Sequence, residues 1–174
     1  AVRDENILVV DYGNNQVIYF NQNHDPIWVS GNEDGDPYYW DQPYYAEVLN
    51  DEVFVVTNKE ANEISLINNE GKKLSSFGSD ILKLPHEVAV DKDENIYVAD
   101  TNNFRVIQFL KDSEYLDYNI IQFPISYGLP KTIALHPAED ILTVGFIGRG
   151  SAYFLVLSNK YGNQTLENSQ SQIR

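Results

Sequence analysis

Short apolar runs rich in Val, Ile, Tyr and Phe alternate with clusters of Asp, Asn, Glu and Gly along almost the whole chain. Nowhere does the i, i+3, i+4 spacing of an amphipathic helix hold over a comparable length. β-branched and aromatic runs bounded by turn residues predict strands. The stretch from residue 85 shows the pattern most clearly. Glu87–Val90 reads as a first strand, 91–95 as a turn, Ile96–Asp100 as a second strand and 101–103 as another turn. Val106–Phe109 then reads as a third strand and Tyr115–Ile121 as a weaker fourth.

This unit recurs. Asp4-Glu5-Asn6-Ile7-Leu8-Val9-Val10-Asp11 returns as Asp93-Glu94-Asn95-Ile96-Tyr97-Val98-Ala99-Asp100, and more loosely over 50–57 and 138–145. The end positions 11, 57, 100 and 145 are separated by 46, 43 and 45 residues. Pro43, Pro85 and Pro130, each ahead of an apolar run, are separated by 42 and 45. Four strands per repeat of this length is the signature of a β-propeller blade. A β-sandwich is the competing architecture, but it has no reason to restart with the same residue types at a constant interval, whereas a radial array sets every unit in the same environment. The expectation is an all-β chain of four-stranded antiparallel blades covering about 1–42, 43–84, 85–129 and 130–174.

The third repeat, Pro85-His86-Glu87-Val88-Ala89-Val90-Asp91 and Asn95 through Val106, resembles the NHL repeat of six-bladed propellers. The first carries the pattern through Asn6–Asp11 and Gly13–Ile18, with Gln16 where the family has Arg or His. The second and fourth follow it by spacing, with Thr57 and Gly145 read at the aspartate position and Asn62 and Gly150 at the arginine position. The resemblance implies a six-bladed ring, of which these would be four consecutive blades of a longer chain. It also implies that Asp11, Asn14, Asp100, Asn103 and Arg105 order the turns of the blade motif.

Charge narrows the function. Twelve Lys and Arg against 26 Asp and Glu leave a net charge of -14, so a nucleic-acid backbone is repelled, including by the RNA-binding mode known in NHL proteins. No apolar run reaches the roughly 18 residues of a spanning helix. The absence of Cys removes disulfides, thiolate zinc sites and cysteine nucleophiles. No Gly-x-Ser-x-Gly elbow or phosphate loop is present.

Turns between second and third strands and connections between blades emerge on one face in this topology. Gly31–Gln42, Phe77–Leu84 and Phe123–Leu129 are the connections. The segment Asp36-Pro37-Tyr38-Tyr39-Trp40-Asp41-Gln42-Pro43-Tyr44-Tyr45 places five aromatic rings and two carboxylates in ten residues. Rings flanked by polar tips suit glycan or peptide recognition; the same rings could instead seal a seam between blades. The candidate ligand surface is Tyr38, Tyr39, Trp40, Asp41, Tyr44, His86, Arg105 and Lys131. Asp100 and Arg105 also read as a strut across their turn. A His₃ zinc centre is disfavoured, because His24 and His136 fall in turns at the opposite face and Tyr44 and Lys131 hold the positions matching His86. No cofactor is expected; calcium is the one ion the acidic loop could take, through Asp34 and Asp36. Asn163-Gln164-Thr165 is a glycosylation acceptor and points to an extracellular or cell-surface location.

The expected function is a non-catalytic binding or scaffold propeller for a protein, peptide or glycan, with further blades or domains as partners and no membrane insertion. The alternative is a divalent-metal-dependent propeller enzyme, a lyase, lactonase or related hydrolase.

Overall fold

The computed structural model describes residues 1–31, 40–136, 141–148 and 151–158. It contains fifteen strands in four antiparallel sheets, each following chain order. The first sheet is β1 (Val2–Arg3), β2 (Asn6–Asp11), β3 (Gln16–Phe20) and β4 (Pro26–Gly31). The second is β5 (Pro43–Val48), β6 (Val53–Asn58), β7 (Glu63–Asn68) and β8 (Lys73–Phe77). The third is β9 (Pro85–Val90), β10 (Ile96–Asp100), β11 (Arg105–Phe109) and β12 (Tyr118–Gln122). The fourth has three described strands, β13 (Leu129–Leu135), β14 (Ile141–Gly148) and β15 (Ser151–Ser158). No helix among the described residues is long and apolar enough to cross a membrane.

The chain divides into two compact units, Ala1–Val88 and Ala89–Arg174. In the first, alternate residues of each strand point to one face, and Leu8, Val17 and Tyr19 of the first sheet meet Ala46, Phe54, Val56 and Ile67 of the second. Trp40 belongs to this core. It is 1% exposed, its indole N–H donates to Ser30 Oγ at 3.3 Å, and its ring lies against Gly31, whose φ of +92° brings the backbone close. The second unit buries Tyr97, Ala99, Val106, Phe123, Ile133, Leu142, Val144, Phe146 and Leu155 together.

The recurring polar stretches close the hairpins at one end of the sheets. Asp91 accepts from the amides of Asp93 and Asn95 at 3.0 and 2.8 Å, Asn21 from Asn23 and Asp25, Asn50 from Glu52 and Val53, and Asn68 from Glu70 and Lys72. Side-chain oxygens of Asp and Asn satisfy turn amides in this way, which is why these residue types recur there.

The register corrects the sequence reading of the second and fourth repeats. The last pairs of the β2–β3, β6–β7 and β10–β11 hairpins are Asp11 with Gln16, Asn58 with Glu63 and Asp100 with Arg105. Asn58 and Glu63, one residue beyond Thr57 and Asn62, therefore hold the motif positions. In the fourth sheet Pro130 pairs with Phe146 as Pro43 pairs with Asn58, so an apolar ring replaces the polar residue and Gly145 is not its equivalent. The β6–β7 ladder itself runs without a shift, and Asn58 follows Pro43 by 15 residues as Asp100 follows Pro85, so the one-residue offset comes from matching the polar run at 50–52 to that at 4–6.

Candidate aromatic binding face

At the opposite end of the sheets from the Asx turns, the second strands of the first three sheets run into four-residue turns (12–15, 59–62 and 101–104), and β5 and β9 begin at Pro43 and Pro85. In the first unit these two kinds of segment are latched together. Asn15 Oδ1 accepts from the Gln42 amide at 3.1 Å, and Asn62 Oδ1 accepts from the Leu84 amide at 2.7 Å. All four residues have left-handed backbone, with φ of 53°, 54°, 57° and 49° for Asn15, Gln42, Asn62 and Leu84. Asn tolerates this region, whereas Leu and Gln adopt it at a cost that the latch offsets. The stretch Asp41–Gln42 is also zipped to the next turn. The Asp41 amide donates to Asn58 Oδ1 at 2.8 Å, Lys59 N–H donates to the Gln42 carbonyl, and Glu60 N–H donates to the Asp41 carbonyl, both at 3.1 Å.

These latches gather residues distant in sequence. Tyr12, first in the β2–β3 turn, donates its hydroxyl to Gln42 Oε1 at 2.6 Å and meets Tyr44 edge to face, with centroids 6.0 Å apart. Tyr44 tilts over the His86 ring at 4.3 Å. Lys59, first in the β6–β7 turn, holds its ammonium 5.4 Å from the centroids of both tyrosines and 3.9 Å from a Glu60 carboxylate oxygen. Tyr12 and Tyr44 are each 42% exposed, while His86 beneath them is 4% exposed. Aromatic faces left open to water beside a fixed cation form a preorganised contact surface.

Deeper on β5, Tyr45 is half-buried, with its hydroxyl 3.5 Å from Glu47 Oε2. Burial, and then the charges of Glu47 and Glu87, push its phenol up to about 12. It therefore stays protonated at neutral pH and acts as a hydrogen-bond donor, not as a base. In the second blade Asn58 Nδ2 donates to Glu63 Oε1 at 3.3 Å, and Lys73 Nζ reaches the same oxygen at 2.6 Å. Burial raises the Glu63 carboxyl, but the hydrogen bonds from Lys73 and Asn58 and the lysine charge outweigh it and leave it below the usual range.

The sequence candidates separate on these contacts. Tyr44 and Asp41 are exposed at the face, and His86 lies under Tyr44. Trp40 is the correction: a ring 1% exposed in the core seals the seam between two sheets and offers no face to a ligand. Asp100 and Arg105 form a strut in the second unit, with Arg105 Nε 2.6 Å and Asn103 Nδ2 2.9 Å from Asp100 Oδ2. In the first blade Asn14 donates its backbone and side-chain N–H groups to Asp11 at 3.1 and 2.8 Å. Lys131 is half-buried on β13 of the second unit. Tyr38, Tyr39, Asp34, Asp36 and Asn163 lie outside the described residues. Among the described residues no three His, Asp or Glu side chains gather as a metal set. Tyr12 and Lys59 were missed by sequence reasoning. The signal was available, because each directly follows a motif residue, Asp11 or Asn58.

Comparison with known proteins agrees with this architecture. Residues 82–109 match the NHL repeat model. No curated protein matches the sequence. Among solved structures, the chain resembles virginiamycin B lyase from Staphylococcus aureus at 13% identity and a TM-score of 0.71, covering 95% of this chain and 53% of that one. It resembles a candidate 6-phosphogluconolactonase from Bacteroides uniformis at 14% identity and 0.69, covering 97% and 54%. The WD40 β-propeller domain of Doa1 matches at 14% identity and 0.56, covering 78% and 45%. The fold is a β-propeller built of antiparallel blades, one of which matches the NHL repeat, and the chain spans about half the length of the structures it resembles.

Proposed function

We propose that this chain is a binding propeller that recognises a protein, peptide or glycan through the face carrying Tyr12, Tyr44 and Lys59. The observation that carries this reading is the pair of exposed tyrosines held edge to face beside a lysine ammonium. Isolated surface rings are ordinary, but here rings from two blades meet, with the Tyr12 hydroxyl bonded to Gln42 and the Gln42 amide latched by Asn15, an arrangement that lowers the ordering cost of binding. Peptide and glycan arrays probed with the labelled protein test it. A Tyr12→Ala/Tyr44→Ala variant that keeps its melting temperature is expected to lose signal at least about tenfold. Undiminished binding by that variant removes this face.

The reading extends to further blades as partners. Val9, Ile18 and Val29 align across the first sheet on the face opposite Leu8, Val17 and Tyr19, and Val9 and Val29 are exposed. An apolar sheet face of this kind suits burial against another blade. Mass measurement of the native polypeptide tests this, and a native chain no longer than this one would overturn it.

A second reading, a lyase, lactonase or related hydrolase, is favoured by the likeness to virginiamycin B lyase and to the candidate 6-phosphogluconolactonase. The described residues do not converge as a divalent-ion site, so no step is derived through one. A thermal shift on adding calcium or zinc would favour this reading over the first.

A further inference from the structure

The outer strands of the three four-stranded sheets differ in how their free edges are guarded. β4 opens with Pro26 and shifts register against β3 between Tyr19 and Phe20. β8 opens with Lys73 and shifts against β7 between Leu66 and Ile67. Proline, lysine and bulges are the devices that stop a sheet edge from accepting another strand. β12 has none of them. Tyr118-Asn119-Ile120-Ile121-Gln122 carries no charge and no Pro, and pairs residue for residue with β11 from Phe109 to Arg105.

The ladder shows which backbone groups are unspent. Leu110 N–H donates to the Asp117 carbonyl at 3.0 Å and Phe123 N–H to the Phe104 carbonyl at 3.1 Å, in the register that pairs Gln108 with Asn119 and Val106 with Ile121. Bonded positions alternate along an antiparallel strand. Asp117, Asn119, Ile121 and Phe123 therefore turn their backbone groups to β11, and Tyr118, Ile120 and Gln122 turn theirs to the outer edge, which no other described strand pairs. Beside that edge Leu116, Tyr118 and Ile120, spaced two apart, are 76%, 39% and 48% exposed. Asp112, Glu114 and Asp117 stand exposed at the start of the strand, while Lys111 is already paired with Glu94 at 2.5 Å.

We propose that β12 is a docking edge for an extended basic peptide segment of a partner protein, which adds as a fifth strand to this sheet. Its backbone bonds Tyr118, Ile120 and Gln122, its alternate apolar side chains lie beside Leu116, Tyr118 and Ile120, and its Lys or Arg residues meet Asp112, Glu114 and Asp117. Charge selects this occupant over a second copy, since two chains each carrying -14 repel. The edge is distinct from the aromatic face and does not depend on it.

The test titrates the full chain with acetyl-Lys-Val-Lys-Val-Lys-Val-Lys-amide and with the same peptide carrying Glu for Lys, following amide hydrogen exchange by NMR. At saturation with the Lys peptide, exchange at Tyr118, Ile120 and Gln122 is expected to slow at least about tenfold, with β4 and β8 unchanged. Ile120→Pro, which removes an outward N–H, and Ile120→Lys, which adds repulsion, are both expected to abolish the effect. The lysine variant carries the test if the proline variant unfolds. Equal protection by the Glu peptide, unchanged exchange at those three amides, or binding retained by Ile120→Lys would overturn the proposal. Protection that grows with protein concentration alone would overturn it in favour of a second copy.

Discussion

Arg105→Ala should cost far more than an ordinary surface substitution, because of where Asp100 sits. Asp100 is 0% exposed, and one of its oxygens accepts from Arg105 Nε at 2.6 Å and from Asn103 Nδ2 at 2.9 Å. Removing one partner of a buried pair leaves an uncompensated charge and costs about 3–5 kcal/mol, whereas an exposed pair contributes about 0–1 kcal/mol. The two halves of the pair are not equivalent. Arg105 is 17% exposed and can turn its guanidinium toward water once its partner is gone, so Asp100→Ala should cost less, about 1–3 kcal/mol from the lost charged hydrogen bonds. The double variant leaves no isolated charge and should cost less than the sum of the singles by about 2 kcal/mol. The first blade supplies the control. Asp11 is only half-buried and accepts from the backbone and side-chain N–H groups of Asn14, so Gln16→Ala should cost under about 1 kcal/mol. Urea unfolding followed by circular dichroism suits this comparison, since both tryptophans, Trp28 and Trp40, lie in the other unit. A cost for Arg105→Ala below about 1 kcal/mol, or a cost for Asp100→Ala exceeding it, would refute the burial reasoning.

Other outcomes follow from single contacts. Asn62→Ala removes the acceptor for the Leu84 amide and should cost about 1–3 kcal/mol, with faster hydrogen exchange at Leu84. Gly31→Ala should destabilise by at least about 2 kcal/mol in thermal melting. Its φ is +92°, and a Cβ would stand 2.5 Å from both the Asn15 carbonyl oxygen and Trp40 Cδ1. Tyr45 should ionise late in an absorbance titration read against Tyr45→Phe. Because its folded value is raised from 10.0 to about 12, the stability it contributes is fully present below pH 10 and is lost as pH rises through about 12. Trp40→Ala should cost about 3–5 kcal/mol, read as a fall in the urea midpoint.

Much of the architecture was legible without coordinates, because a blade must repeat its environment. The strands around Ile96–Asp100 and Val106–Phe109, the four-residue turns of the first three sheets and the Pro at the head of β5 and β9 can all be read from recurring residue types. What failed were identities that depend on pairing. Thr57 and Asn62 sit one residue from the true motif positions, Asn58 and Glu63, because a match of the polar runs fixes the count at the start of the strand, whereas the hairpin ladder fixes it at the end. Trp40 illustrates the other kind of failure. An aromatic beside Asp41 has the same composition whether it faces a ligand or a core, and only its contacts with Ser30 and Gly31 tell the two apart.

Local terms follow from residue order alone: alternating side chains that make strands, Asp and Asn that close turns, and a net charge of -14. The tertiary structure decided which rings meet. Tyr12, Tyr44, Lys59 and His86 span 75 residues of chain and converge only because Asn15, Asn58 and Asn62 latch backbone amides of the segments that lead into the next blade. It also sets which edges stay unpaired among the described strands, since an edge is defined by the partner its ladder lacks, and a linear pattern does not contain partners.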